Sequence, residues 1–335
     1  MPTVAIDARD AFAPQLRGWG RYAKELIAAL PDHEGLDFRF VSRGGRGPEV
    51  LFEQIGLPVR LRRMGADLIH TPNCFLPLAR PCMGVVTIHD LAFEVFPEDF
   101  SGRTGWKYRT FTPRAARSAQ RVICVSGYTA SDVVRRYDVD EARVRIIPNA
   151  PSLPIGDLAV PEGPYLLAVG DLRPKKNLLR LVEAFRKLRG EGLEHRLVLA
   201  GVDTGEGDRV REAAGGHPVQ LTGYLPDDEM DALMRGADAL VHPSLYEGFG
   251  LVLVEAMARG VPVLAARATA LPETGGDACD YFDPLDVTDM ARAIRRVIDD
   301  RAHHADLVAR GVKRAAALSW ANSAALTVAV YEEML

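Results

Sequence analysis

Short apolar runs alternate with longer amphipathic stretches along most of the chain. Val4-Ala5-Ile6, Phe38-Arg39-Phe40-Val41, Leu68-Ile69-His70, Val85-Val86-Thr87-Ile88 and Val122-Ile123-Cys124-Val125 read as strands of a parallel sheet with helices on both faces. The rhythm stops near Ile147, and Pro148-Asn149-Ala150-Pro151-Ser152-Leu153-Pro154 reads as a linker, with further prolines and glycines up to Pro164. It then resumes with Tyr165-Leu166-Leu167-Ala168-Val169, Arg196-Leu197-Val198-Leu199-Ala200, Val219-Gln220-Leu221, Ala239-Leu240-Val241 and Val261-Pro262-Val263-Leu264. The pattern predicts an α/β chain of two doubly wound, Rossmann-like domains, 1–155 and 156–318, facing a central cleft, followed by a helical segment 319–335. Ligands of such sheets bind beyond the carboxyl ends of the strands, so residues there carry the functional argument.

Composition narrows the class. With 335 residues, 47% hydrophobic and 26% charged, the chain can bury two cores. The first 155 residues carry 21 Lys+Arg against 17 Asp+Glu and the remainder 20 against 28, and the small positive excess forms no basic groove interleaved with aromatics. Nucleic acid is therefore not an expected partner. Cys74, Cys82, Cys124 and Cys279 are scattered, without zinc-ligand spacing or a disulfide framework. The chain enters its first strand at Thr3 without a signal peptide and has no apolar run of the ~18 to 20 residues that span a bilayer, so a cytoplasmic protein is expected.

The most informative stretch runs from His242 to Met257. Glu247 falls on a strand-to-helix loop and Glu255 about one turn inside the following helix, with Gly248, Phe249, Gly250, Leu251 and Val252 between them. The glycines admit close approach of a ligand, and the amides of Leu251, Val252 and Leu253 are expected to point outward with the helix dipole behind them. A phosphate flanked by hydroxyl-bearing rings fits such a place. Upstream, Val169-Gly170-Asp171-Leu172-Arg173-Pro174-Lys175-Lys176-Asn177 ends a strand and precedes an amphipathic helix. Asn177 is expected to cap that helix, with the Lys176 ammonium forming a second anion seat at its start. Solvated lysines and glutamates are the plain alternative, but the two segments together favour a diphosphate between two polyol rings.

Gly-x-Leu-x-Pro-Lys-Lys-Asn from Gly170 to Asn177, followed by Glu-Gly-Phe-Gly-Leu-x-x-x-Glu from Glu247 to Glu255, resembles the family-four retaining glycosyltransferases of GT-B architecture, group 1 of the glycosyl transferases. Val122 to Ser126 with Thr129-Ala130-Ser131-Asp132, and Val144 to Asn149, are also similar to that family, so the resemblance covers nearly the whole chain. It implies a nucleotide-diphosphate sugar donor and a hydroxyl acceptor, with Glu247 on the donor sugar, Glu255 on the ribose, and Lys176 with the Gly248 to Leu253 amides on the diphosphate. No resident cofactor or metal is implied. Tyr224-Leu225 falls where relatives bind the base, and the final helix is expected to cross back to the first domain. One departure stands out: many relatives carry Gly-Arg where this chain has Gly170-Asp171, and Arg173 is the candidate replacement.

In the first half, Arg17-Gly18-Trp19-Gly20-Arg21-Tyr22 is similar to the family's glycine-rich loop, with Gly18 and Gly20 assigned to the donor and Trp19 to the acceptor side. His89 ends the Val85–Ile88 strand and is assigned to sugar positioning, with Asp90 orienting its loop. His70 and Asn73 border the acceptor side, although packing competes as the reading of His70. Ser126 and Thr129-x-x-Asp132 read mainly as helix-start capping.

Ser101 to Arg121 holds Arg103, Lys107, Arg109, Arg114, Arg117 and Arg121 with no acid, interleaved with Trp106, Tyr108 and Phe111. The segment is read as a candidate contact with anionic lipid at the inner membrane face. No Asp-x-Asp metal motif is read between the halves, and the strand end Thr87-Ile88-His89-Asp90-Leu91 leans toward mannosyl- and rhamnosyl-transferring members. The expected activity is metal-independent hexosyl transfer in glycan, glycolipid or natural-product synthesis. Two alternatives stay open: a nucleotide-sugar epimerase of the same fold, and a non-catalytic sugar-nucleotide-binding module.

Overall fold

The computed structural model describes all residues except 14, 15, 17, 32 and 43–47. Contacts divide the chain into two units, Met1–Ala150 with Ser319–Leu335, and Pro151–Leu318. The first unit contains β1 (Thr3–Asp7), β2 (Asp37–Val41), β3 (Leu68–Thr71), β4 (Met83–Ile88), β5 (Arg121–Cys124) and β6 (Val144–Ile146), all parallel, in the order β2-β1-β3-β4-β5-β6. The second contains β7 (Tyr165–Val169), β8 (Arg196–Ala200), β9 (Val219–Gly223), β10 (Ala239–His242), β11 (Val263–Ala266) and β12 (Cys279–Phe282), also parallel, in the order β12-β11-β10-β7-β8-β9. Strands β1, β3, β10 and β11 are buried along their whole length, as a sheet covered by helices on both faces requires.

In each sheet the strand order reverses beside the first strand of its unit. In the first unit this falls between β1 and β3, and in the second between β7 and β10, where Leu166 and Leu167 pair with Ala239 and Leu240. A crevice opens at such a reversal because the connections on its two sides leave toward opposite faces. The chain segments leaving β7 and β10 are those that carry Lys176 and Glu247.

The last helix, Trp320–Glu332, is part of the first unit. Ser319 caps it, accepting from the Asn322 amide at 3.2 Å, and Val328, Val330 and Tyr331 pack in a core with Val4, Ile6, Leu68 and Val85. Burying one such side chain contributes roughly 1.5–3 kcal/mol, which sets the helix against β1 and β3. The Pro148–Pro154 segment, read from its prolines as a linker, is tied down on its second-unit side. Arg259 donates to the Leu153 carbonyl at 2.7 Å and the Pro154 carbonyl at 2.9 Å, and Asp231 accepts from the Gly156 amide at 3.0 Å.

Candidate active site

In the second unit the site is built where β7 and β10 end. After β7, the turn Pro174–Lys176 lays its backbone against the segment after β10, the Leu245 amide donating to the Lys175 carbonyl at 2.8 Å. Asn177 does not cap its helix with its side chain. Its backbone is left-handed, and its side-chain amide donates to the carbonyls of Pro243 at 3.1 Å and Pro284 at 2.7 Å, fastening the two loops together.

Lys176 and Glu247 meet across this junction, Nζ to Oε1 at 2.5 Å, with both side chains largely buried. His242, the last residue of β10, donates from Nε2 to the same oxygen at 3.2 Å. Burial works to raise the pKa of Glu247, but the Lys176 and Lys175 charges and the His242 hydrogen bond outweigh it, and the carboxyl is held well below its usual range. Burial lowers the pKa of His242, which is therefore a neutral donor near neutral pH. His242 had no assigned role in the sequence; its position at a strand's carboxyl end, five residues before Glu247, was the available signal.

Gly170 makes room for the lysine. A Cβ there would stand 2.8 Å from Lys176 Cε and 3.1 Å from Nζ, and its φ of +145° is one that L side chains rarely adopt. The Glu247 amide donates to Thr269 Oγ1 at 3.0 Å, and the Phe249 carbonyl accepts from Thr274 Oγ1 at 2.5 Å, so the Glu247-Gly248-Phe249-Gly250 loop is pinned from the far side. The helix Leu251–Ala258 starts from a left-handed Gly250. The Leu253 amide is turned inward onto the Gly250 carbonyl at 3.0 Å, so the expected row of three outward amides reduces to Leu251 and Val252, which open the helix without intrahelical partners. Glu255 lies one turn into this helix, mostly buried, and accepts from Ser152 Oγ at 3.1 Å. Arg173 sits 3.4 Å from Asp171, so the two residues that depart from the family pattern form an ion pair with each other. Tyr224 is exposed just beyond β9, with Leu225 beside it half-buried.

In the first unit, the helix Gly18–Ala29 follows β1, and Gly20 lets it approach closely: a Cβ there would stand 2.9 Å from the Asp10 carbonyl oxygen. Arg17 lies outside the described residues. Trp19 is half-exposed, its ring 5.7 Å from that of Tyr108. Asn73 donates to Asp10 Oδ2 at 2.8 Å, bridging the segments that leave β1 and β3. His89 donates from Nε2 to the Pro72 carbonyl at 2.8 Å, which places the lone pair of its neutral ring on Nδ1, and its ring meets Tyr22 edge-on at 4.7 Å. Asp90 accepts from the Ala92 amide at 3.0 Å and shapes this loop. Ser126 and Thr129 act as a helix cap, Ser126 Oγ accepting from the Thr129 amide at 3.0 Å.

Three expectations are corrected by placement. His70 belongs to the core and not to an acceptor-side surface: it is fully buried, with Nδ1 2.6 Å from the Tyr331 hydroxyl and Nε2 2.8 Å from Thr87 Oγ1. The basic 101–121 segment is not one uniform cationic face. Tyr108 is buried, Lys107 turns inward to Glu49 at 2.7 Å and Glu53 at 3.0 Å, and Arg121 pairs with Glu333 at 3.1 Å. An Asp-x-Asp triplet does occur, Asp138-Val139-Asp140, but it serves turns: Asp138 ends the helix Gly127–Tyr137 in a left-handed conformation and Asp140 accepts from the Ala142 amide at 2.9 Å. Among the described residues no helix is long and apolar enough to cross a membrane.

Two parallel six-stranded α/β sheets, one in each unit, are those of the GT-B glycosyltransferase architecture. Residues 157–314 match the family described as Glycosyl transferases group 1, and residues 45–151 match Glycosyltransferase Family 4. The O-antigen chain mannosyltransferase B of Escherichia coli is 30% identical over 79% of this chain and 74% of that protein. The MMP alpha-(1->4)-mannosyltransferase of Mycolicibacterium hassiacum is 32% identical over 82% of this chain and 72% of its own length. Anabaena HepE, solved in complex with UDP and glucose, shares the fold with a TM-score of 0.70 over 100% of this chain and 99% of that one, at 18% identity. The chain belongs to glycosyltransferase family 4, a retaining family, and is an enzyme that transfers a sugar from a nucleotide-sugar donor.

Proposed function

We propose that the enzyme transfers a hexose, mannose before others, from a nucleoside-diphosphate sugar to a hydroxyl acceptor without a divalent cation. The observation that carries this reading is the 2.5 Å contact between Lys176 and Glu247. In such a donor a single oxygen joins the sugar carbon to the diphosphate, so the group that holds the sugar hydroxyls and the group that neutralises the leaving phosphate must be neighbours. Glu247 is assigned to the sugar, Lys176 with the Leu251 and Val252 amides to the diphosphate, Glu255 to the ribose, and Tyr224-Leu225 to the base.

As the bond to the leaving oxygen breaks, negative charge grows on the diphosphate and positive charge on the sugar ring. A fixed ammonium and helix-start amides lower the barrier on the first side, and an ionised carboxylate near the ring does so on the second. That positive charge does the work a metal ion does elsewhere. His89 is assigned to positioning the sugar, Gly18 and Gly20 to close backbone approach, and Trp19 and Asn73 to the acceptor. The mannosyl preference draws on the two mannosyltransferase relatives.

A thermal-shift panel of UDP-, GDP- and dTDP-sugars tests the donor, because a ligand that binds only the folded state raises its melting temperature. One nucleotide sugar is expected to stabilise above the rest, and transfer from it in EDTA should give a product of unchanged anomeric configuration. A panel with no stabilising sugar nucleotide, or transfer that stops in EDTA and returns with magnesium or manganese, overturns the reading.

A further inference from the structure

We propose a second, phosphate-binding site in the first unit, formed by Arg109, Arg114, Arg117 and Arg136. These side chains line a cavity of about 480 Å³ together with Glu94 and Tyr137. Arg109 and Arg117 lie eight residues apart on the helix Gly102–Ser118, two turns along one face, and Arg114 flanks them. Arg136 enters from the last turn of the helix Gly127–Tyr137.

Each guanidinium is fixed from behind. Arg117 donates from Nε to the Tyr137 carbonyl at 2.8 Å, Arg136 from Nε to Asp132 Oδ1 at 2.9 Å, Arg109 to the Phe93 carbonyl at 3.3 Å, and Arg114 to the Thr110 carbonyl. Among the described residues the two terminal amino groups of Arg117 have no protein partner. Glu94 is the one acid among the described lining residues, and it accepts the Tyr137 hydroxyl at 2.9 Å.

Arg136 is paired with Asp132, but carbonyl contacts orient Arg109, Arg114 and Arg117 without cancelling their charge, so three uncompensated guanidinium groups repel one another around one cavity. A multiply charged anion relieves that repulsion, and planar guanidinium forks match phosphate oxygens in pairs. The ligand class is therefore a phosphate monoester or diphosphate. The cavity runs from Glu94, on the segment that leaves β4, to Arg117 near the end of its helix. The helix carrying Arg117 runs on into the start of β5 at Arg121, so this end of the cavity lies at the amino edge of the sheet, whereas Asn73 and His89 sit beyond carboxyl ends. The inference does not rest on the donor reading.

Calorimetry of the full chain with inorganic pyrophosphate tests it, using wild type, Lys176→Ala and Arg114→Gln/Arg117→Gln. The Lys176→Ala protein should keep a pyrophosphate site that the arginine double variant loses, with affinity at that site falling about tenfold or more. The single Arg114→Gln variant, which loses only a contact within its own helix, should show a smaller fall in the same direction and an unchanged melting temperature. Pyrophosphate binding that is unaltered in both arginine variants overturns the proposal. Sedimentation with phosphatidylcholine vesicles, with and without phosphatidic acid, separates the sources of the phosphate. Arginine-dependent capture by the acidic vesicles assigns a lipid headgroup, and pyrophosphate binding without capture assigns a free phosphorylated ligand. Capture that survives the double variant, with no pyrophosphate site in any protein, rejects the cavity.

Discussion

Lys176 Nζ and His242 Nε2 both donate to the same Glu247 oxygen, at 2.5 and 3.2 Å. The lysine comes from the loop after β7 and the histidine from the end of β10, so one carboxylate oxygen ties together the two strands at the sheet's reversal. Glu247 is thereby ionised and oriented before any ligand arrives.

If Lys176 and Glu247 act as one unit, Glu247→Gln and Lys176→Ala should each lower turnover about 10²–10³-fold, the range for removing a group that stabilises transition-state charge. The double variant should be little worse than the poorer single one. Initial rates with the donor found by thermal shift would check this. Multiplicative losses would mean that the ion pair is not the functional unit.

His242 touches Glu247 and is assigned no contact with the donor, so its effect should be one of positioning. His242→Leu should keep the fold and cost roughly tenfold in turnover, the scale of one hydrogen bond to a charged group. Because the Lys176 contact remains, donor affinity should change less than turnover. A thermal-shift titration beside the rate measurement would decide, and a variant with wild-type turnover would remove His242 from the site.

The ten strands legible in the sequence are continuous apolar runs or, as in the five-residue edge strands β2 and β9, apolar residues alternating with single polar ones. The two that were not, β6 and β12, are edge strands of three and four residues carrying Arg145 and Asp280. Their charges are met by tertiary partners that no local pattern reveals: Glu333 for Arg145, and Arg296 and His303 for Asp280. The site divides in the same way. Glu247 and Lys176 stand out from residue type and spacing around glycines. The true partners of Asn177 depend on which loops become neighbours, while the inward turn of the Leu253 amide and the Asp171–Arg173 pair are set by local backbone and side-chain conformation that residue type alone does not specify. His70 shows the converse, since a histidine at a strand end reads as a site residue until the last helix brings Tyr331 against it.

Gly170 separates backbone strain from the fit of Lys176. Alanine at Gly170 or at Gly192 faces an unfavourable positive φ, but only at Gly170 does the new Cβ meet the lysine; at Gly192 nothing lies within 4 Å. Each change should cost on the order of 1 kcal/mol or more in stability. Only Gly170→Ala should also weaken donor binding, by about tenfold if one charged contact is displaced. Melting temperatures and donor titrations of the two proteins would check this, and equal donor affinities would show that Lys176 shifts without consequence.

The buried His70 makes the first unit sensitive to acid. Burial depresses its pKa from 6.5 to about 3, so between those values the unfolded chain holds a proton that the folded chain does not. Stability therefore falls as pH drops through this window and is insensitive to His70 above it. His70→Gln should lower stability at pH 7, by losing the fit to Tyr331 and Thr87, yet make the acid slope shallower by about 1.4 kcal/mol per pH unit. His89, whose pKa burial also lowers, should keep part of the slope in place. Trp19, Trp106 and Trp320 all belong to the first unit, so tryptophan fluorescence in urea follows its unfolding selectively. An acid slope identical in wild type and variant between pH 6.5 and 4.5 would mean that His70 takes up its proton without leaving the core.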